Sequence, residues 1–572
     1  MLGFAVPVGA REVGFVVGRE PDNSFTALLA SPEERGQFLV EIETFKGGDI
    51  RLGARSMIGD MPVGAAAVAD LPYAGAGSGS LTTLLYSDDH WVGDPSDEDK
   101  PNIAYEGRVS VPIRVSRHMP ISPEADRRVQ RQFGELELQN GDGELDPIVQ
   151  SYAVDGRRVC IKYGPHMSAY KNFAVVADLL GVSWQSANES TVRISLRDRT
   201  YALEQRLQSN LYAGTGGAEG TSELTGKPKP LMFGRVMNVT PLFLDTTNLI
   251  YQFHDGAAFA VDGVFDQGLG LTYDVAVGDV ANYAALVAAT VAAGKYATCL
   301  AEGLFKLGSS PKGLVTLDAR GDASPDYADT LDVIAMRLIK TVAGIADTFV
   351  NPTGWAGAAS LSGELGFYIG PNELPTTADV LNMLASATGA WWGTDRKGRI
   401  TAGRLISPEA ANPIYRFDEY DVISLNILAA PVPRYRQGVA YQRNWSVQRG
   451  EDLADAVTDA RRQSLAEPYQ VSTAADTQVR VRHNEAVSPP PILSLYHNEA
   501  DAIRLRDEKL DLHKVDRQIF QMKVKRLGFQ FDMGRVVQLT YPRFGLQSGK
   551  RFVIFGIEED GRNEETILNL WG

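Results

Sequence analysis

The tetrapeptide His-Asn-Glu-Ala occurs twice, at 483–486 and 497–500. A histidine set close to a carboxylate is a pairing from which metal sites are built. The copies have different flanks, and Pro489-Pro490-Pro491 lies between them, so coincidence is the preferred reading. The other histidines, His90, His118, His166, His254 and His513, are scattered, and no His-Glu-x-x-His spacing occurs. Residues 214–220, Gly-Thr-Gly-Gly-Ala-Glu-Gly, have the composition of a phosphate-cradling loop. Their third glycine is misplaced and no apolar helix follows directly, so they read as a flexible loop. The acidic run 94–99 lacks the glycine and distal glutamate of a calcium-binding EF-hand and reads as a solvated loop.

Trp391 and Trp392 would suit a sugar platform. Neighbouring strand positions point to opposite faces, so packing a hairpin onto a helix is the better expectation. Paired carboxylates could hydrolyse a glycoside, but among 71 acidic residues no pair stands out. There is no Gly-x-Ser-x-Gly elbow, and Cys160 and Cys299 sit in apolar surroundings as expected of buried thiols. No residue is assigned a catalytic, cofactor-binding or metal-binding role, no cofactor is expected, and the chain reads as a non-enzyme.

The elements that must position any site alternate between β and α. Residues 38–45 alternate with a period near two, and a second strand is expected at 50–55. Residues 75–80 and 87–102 read as loops. Val109, Val111, Ile113 and Val115 share one strand face, and 159–162, 192–196 and 231–236 repeat the pattern. Residues 214–230 read as a long exposed loop. A β segment follows at 249–265, with turns at His254-Asp255-Gly256 and Asp262-Gly263. Residues 275–301 read as an Ala-rich packed helical region.

Helices concentrate in the middle. Asp329 or Thr330 caps one carrying Leu331, Ile334, Leu338 and Val342. Thr377 caps another that turns Val380, Leu381, Leu384 and Ala387 inward and ends at Gly389. An aromatic hairpin follows, with strands at 390–394 and 399–405 around the turn 395–398. Alternation returns at 437–443 and 480–482. A charged helix is expected at 500–512, and three closing strands at 535–541, 551–558 and 566–571.

Bulk properties narrow the classes. The 572 residues allow three or four domains, and 44% hydrophobic residues supply packed cores. A net charge of −15 repels phosphate, which disfavours a sequence-reading nucleic-acid binder. The first residues lack the pattern of a signal peptide, and no window of about 18 apolar residues predicts a membrane span.

Several collinear stretches carry a resemblance. They include 39–43 leading to 51–56, Tyr105-Glu106-Gly107-Arg108-Val109, and Phe133-Gly134-Glu135-Leu136 with Asn140-Gly141-Asp142-Gly143. They continue through Tyr152-Ala153-Val154-Asp155-Gly156-Arg157, Lys229-Pro230-Leu231-Met232-Phe233-Gly234, 305–313 and 431–435 with 439–444. The last are 534–537, 545–552 and Leu570-Trp571-Gly572. Together they resemble the baseplate hub tail proteins of siphophages and gene-transfer particles, which are similar to the trimeric hubs of contractile tails.

The resemblance implies an α+β, predominantly β chain of several domains. Two of these are tail-tube-like β-barrel or sandwich domains, with helices in the middle region. The expected division is an N-terminal extension at 1–38, a first hub β-domain at 39–230 and a second β-domain at 231–320. An α/β middle domain at 321–430 and a C-terminal β-domain at 431–572 follow, the latter with a variable insertion around 446–500. The implied function is a structural hub that adapts a hexameric tail tube to a three-fold tip, closes the channel and carries fibre or tip proteins until genome ejection. The implied partners are two further copies (a homotrimer), the distal tail or tail tube protein, the tape measure protein C-terminus, and tail fibre or tip proteins. DNA only passes through the lumen, and no stable membrane insertion is expected. The expected location is the virion tail tip, after synthesis in the bacterial host cytoplasm. The competing readings are a tail-associated glycan or peptidoglycan hydrolase and a receptor-binding adhesin.

Overall fold

The computed structural model describes residues 35–46, 80–121, 133–361, 363–525 and 528–572. The strand expected at 50–55, most of the loop at 75–80 and nearly all of the 1–38 extension lie outside the described residues. The fold is predominantly β, with several sheets and a helical middle layer.

The N-terminal sheet forms because its strands alternate. Val109–His118 buries Val109, Val111, Ile113 and Val115 on one face, as the period-two pattern requires. Six strands run side by side in the order Val109–His118, Phe133–Gln139, Thr191–Arg197, Ala174–Asn188, Arg158–Pro165, Gly36–Lys46. Every pair is antiparallel. Val40, Ile42, Leu136, Leu138, Ile161 and Ile194 fill the core beneath them.

A second six-strand unit stands at the other end of the chain. Its order is Val422–Ala429, Ile519–Val524, Glu565–Trp571, Lys550–Asp560, Val536–Leu539, Tyr415–Phe417. Taken strand by strand in chain order, the sequence of neighbours is the same in the two units. Each long strand carries a register shift against the strand that follows it, at Val182 in the first unit, which has a second between Ser186 and Asn188, and at Phe555 in the second. They differ in the last pair of these six, antiparallel in the first unit, where Ser80–Ser87 pairs on beyond Gly36–Lys46, and parallel in the second. Phe520, Met522, Ile554, Leu568 and Leu570 form the second core.

The two units share one continuous sheet, because Gly556–Asp560 pairs with Arg114–His118. Between them in sequence lie two five-stranded sheets, from residues 231–369, packed through Val236, Phe253, Phe305 and Leu317. A helical layer follows. Thr377–Thr388 places Val380, Leu381, Leu384 and Ala387 in a core shared with Leu331, Ile334 and Trp392. Glu499–His513 adds Ala502 and Leu505 to the same core.

Several local expectations are corrected. Residues 275–301 hold only a short helix, Tyr283–Ala288, and then a strand, Lys295–Cys299. Gly294, at φ 77, turns the chain, and Tyr296, Ala297 and Cys299 are buried in the sheet. Asp262-Gly263 is not a turn but a register shift inside Ala258–Asp266. Residues 480–482 belong to the helix Thr477–Arg482, whose start is fixed by the Asp476 carboxylate accepting from Gln478 N–H. The cap of the longer helix is Thr376, not Thr377, in a reciprocal capping box with Asp379. Residues 214–230 are mostly exposed but pinned by buried Leu224 and Pro228.

Candidate assembly interface

The aromatic hairpin Ala390–Thr394 and Ile400–Arg404 reaches out of the middle layer, and its tip enters the seam between the two β units. Trp392 points into the helical core and its indole N–H donates to Asn382 at 2.8 Å. Trp391 faces the opposite cluster with Met533 and Trp571. Both rings are therefore spent on holding the hairpin, as strand alternation predicts.

The tip turn is tied by Asp395, whose carboxylate accepts from the Lys397 and Arg399 backbone N–H groups at 3.0 and 2.9 Å. That turn aims Arg396 inward. Its guanidinium donates to both oxygens of Glu559 at 2.7 and 2.6 Å. It also donates to the carbonyls of Val176, Gly528 and Phe531 at 3.4, 3.2 and 3.3 Å. Its carbon lies 5.3 Å from the Phe529 ring centre, a ring that packs in the first unit's core. Burial works against this charge, but the Glu559 carboxylate outweighs it and the guanidinium pKa is raised. A bidentate, hydrogen-bonded pair satisfies both ions in a place water cannot reach.

The surrounding contacts run the same way. Gly398 adopts φ 68, and a Cβ there would stand 2.2 Å from the Asp178 carbonyl oxygen. Asp178 accepts from Arg158 at 2.8 Å and Arg199 at 2.9 Å. Arg117 donates to Asp532 at 2.8 Å, and Arg114 and His118 lie against Asp560 and Glu558. First unit, second unit and middle layer are thus locked at one buried node.

The opposite flank of the second unit is open. Val422–Ala429 is the outermost strand of the sheet. Residues 426–432, Asn-Ile-Leu-Ala-Ala-Pro-Val, are all exposed, with Ile427 at 44%, Leu428 at 53% and Val432 at 46%. An exposed edge carrying a run of apolar residues is a common mark of association surfaces.

The other sequence candidates fall apart in space or turn inward. His483 pairs with Asp516 at 2.9 Å, while His497 packs near Arg235 and Asp262 and donates its backbone N–H to Glu364. Burial, with Arg235 next, lowers the His497 pKa to about 4. Among the described residues, no group of three or more His, Cys, Asp or Glu is placed to hold a metal ion. In the glycine loop, Glu219 accepts from Ala213 N–H and from Lys229, so a carboxylate sits on the loop's own backbone. In the acidic loop, Asp94 accepts from Ser96, and Asp97 from the backbone N–H groups of Asp99 and Tyr170. That loop is tethered beside Glu41, which accepts from the Tyr105 and Tyr170 hydroxyls at 2.7 and 2.5 Å. Cys160 and Cys299 are buried and unbridged, and burial pushes their thiols up to about 12 and about 11. Among the described residues, no helix is long and apolar enough to cross a membrane.

The node and the open edge were not legible as sites. Asp395-Arg396-Lys397-Gly398 reads only as a turn, and the one available signal was the uninterrupted apolar run 427–432 outside any helical or alternating pattern.

No protein-family model matches the chain, and no curated protein matches it. Among solved structures, the chain is similar to a 43 kDa tail protein of prophage MuSo2 from Shewanella oneidensis. The two are 13% identical with a TM-score of 0.35, over 82% of this chain and 95% of that one. It is similar to a tail protein from Neisseria meningitidis MC58, at 9% identity and a TM-score of 0.37, over 81% and 95%. It is also similar to a chain from the virion of a native gene transfer agent particle, at 14% identity and a TM-score of 0.39, over 60% and 84%.

Proposed function

We propose that this chain is the structural hub of a phage tail tip, and that it works as a homotrimer. The observation that carries the reading is the pair of β units with the same strand order, joined edge to edge in one chain. Three copies of a two-unit chain present six similar β units around an axis. That matches a hexameric tube above while leaving a three-fold platform below. The collinear sequence resemblance to tail hub proteins supports the same reading.

In this reading the tube-like units are those spanning 36–197 and 415–571, and the middle layer with its hairpin fixes their angle through Arg396 and Glu559. The hub caps the distal tail or tail tube protein, meets the tape measure protein C-terminus, closes the channel and carries fibre or tip proteins until ejection. The acidic chain lets DNA pass without holding it. The protein resides at the tail tip of the virion and is made in the bacterial host cytoplasm. Opening is a rigid-body movement between packed domains.

The test is co-assembly. Purified chain mixed with the tail tube protein of the same particle should cap tube ends in negative-stain micrographs. Free tube ends in the presence of excess chain would count against the hub. Turnover of purified peptidoglycan, abolished by changing a single carboxylate, would favour the hydrolase instead.

A further inference from the structure

Residues 442–469 leave a small three-stranded sheet at the end of Arg436–Tyr441 and rejoin it at Gln470–Ala475, where Tyr441 pairs with Gln470. Between those ends they form a strap that reaches across to a different sheet, the one containing Leu231–Val239, Val315–Asp322 and Ala258–Asp266. The strap is fastened there at two places. Near its base, Trp445 N–H donates to the Met237 carbonyl at 3.3 Å. The Asn238 amide donates to the Asn444 side-chain oxygen at 2.8 Å, and the Thr240 and Ser446 hydroxyls meet at 2.7 Å. At its far end, Ala454 N–H donates to the Gln267 carbonyl at 2.9 Å and Arg461 to the Gly268 carbonyl at 3.0 Å. Leu453, Val457 and Leu465 cup the Gly268 turn. A Cβ on Gly268, whose φ is 76, would stand 2.6 Å from Leu453 and 3.1 Å from Leu465. Only glycine fits that catch.

The strap also holds itself together. Gln448 N–H donates to the Leu465 carbonyl at 3.0 Å, Arg449 to the Ala466 carbonyl at 2.7 Å and Arg462 to the Val457 carbonyl at 3.0 Å. The space between its two fastenings is different. Strand alternation sends Leu317 and Ala319 into the core, so Thr316 and Asp318 face outward, under the strap. Thr316 and Gln448 are both 0% exposed. Among the described residues, the Thr316 hydroxyl, both polar atoms of the Gln448 amide and the Asn238 side-chain oxygen have no protein partner. Asp318 accepts from Asn238 N–H at 2.7 Å, and burial raises its pKa. A buried polar group without a partner carries its full desolvation cost, and it regains water when uncovered. The ends of the strap therefore hold it down while its middle favours release.

We propose that residues 444–467 are a strap that unlatches from this sheet as one body, swinging on its two ends at the small three-stranded sheet, with the Gly268 turn as its catch. Unlatching uncovers Thr316, Asp318 and Phe265, the last now lying 4.0 Å from the Arg461 guanidinium carbon. Val439 of the parent sheet lies in the helical core, so the strap ties the middle layer to the five-stranded sheets and its release loosens that joint. Such a device is a local opening of low stability set on a more stable scaffold. It goes beyond the hub reading and does not depend on the number of copies.

The test is hydrogen exchange of the full chain, resolved to single amides. The Ala454 amide, which bridges strap and sheet, should exchange through an opening that leaves the ladder amides of Val315–Asp322 protected. Gln448→Leu removes the unpartnered amide and should slow Ala454 exchange about tenfold. Leu453→Ala weakens the catch and should speed Ala454 exchange while the ladder amides stay unchanged. Ala454 and ladder amides that lose protection together in the parent chain would overturn the strap. So would a Gln448→Leu chain whose Ala454 amide exchanges no more slowly, or a Leu453→Ala chain whose ladder amides quicken equally. None of these results alters the count of copies, so the hub reading stands or falls separately.

Discussion

Arg396 and Glu559, 163 residues apart in sequence, meet through two hydrogen bonds of 2.7 and 2.6 Å in the interior where three parts of the molecule join. Removing one partner leaves the other charge buried and unpaired. Glu559→Gln or Arg396→Met should therefore lower stability by about 3–5 kcal/mol. The joint change Arg396→Met with Glu559→Leu should recover much of that loss, since neither charge then remains. Calorimetric melting of the four proteins checks this. Single variants that melt like the parent chain would show that the pair does not hold the node.

Gly398 tests the same node by shape alone. Its φ of 68 already disfavours a side chain, and an added methyl would collide with the Asp178 carbonyl oxygen at 2.2 Å. Gly398→Ala should cost more than the ~1 kcal/mol of a simple left-handed strain, because backbone of a neighbouring unit must move. Gly278 has a similar φ of 73 and open space around it. Gly278→Ala should show only the strain. Denaturant midpoints that do not separate the two variants would contradict the close approach.

Leu384 lies fully buried on the inward face of the Thr377–Thr388 helix. Leu384→Ala should cost ~2–5 kcal/mol from lost burial plus the cavity left behind. A thermal shift below about one degree would mean that this helix does not pack as described.

Acid should weaken the middle of the molecule through His497. Its pKa is lowered to about 4 by burial, with Arg235 next, against an ordinary value of 6.5. The unfolded chain therefore binds a proton between these values and the folded chain does not. The stability is full above pH 6.5 and is lost as pH falls toward 4. His497→Gln should flatten that slope relative to the parent chain in denaturation series at pH 7, 6 and 5. Parallel slopes would remove His497 as a cause.

Much of the strand and helix pattern was legible because it rests on short-range periodicity. Val109, Val111, Ile113 and Val115 announce one buried face, and Val380, Leu381, Leu384 and Ala387 announce another. Asp262-Gly263 misled because a register shift and a turn favour the same residues, and only the partner strand Val315–Asp322 decides between them. The alanines of 275–301 suggested a helix, but Gly294 and the sheet neighbours of Tyr296 and Cys299 overrode propensity. The duplicated strand order left no repeat in the sequence. Strand order depends on which faces are buried, and Val192, Ile194 and Leu196 satisfy that as well as Thr566, Leu568 and Leu570 do. The Arg396–Glu559 node was invisible for a related reason, since nothing local marks a turn residue as the key to a contact far along the chain.

Whether this chain forms the proposed hub ring is decided by the mass and symmetry of the purified protein. Native mass measurement with electron-microscopic class averages should give three copies arranged around a three-fold axis with an opening at the centre. A single copy, or a two-fold pair with no opening, would contradict it.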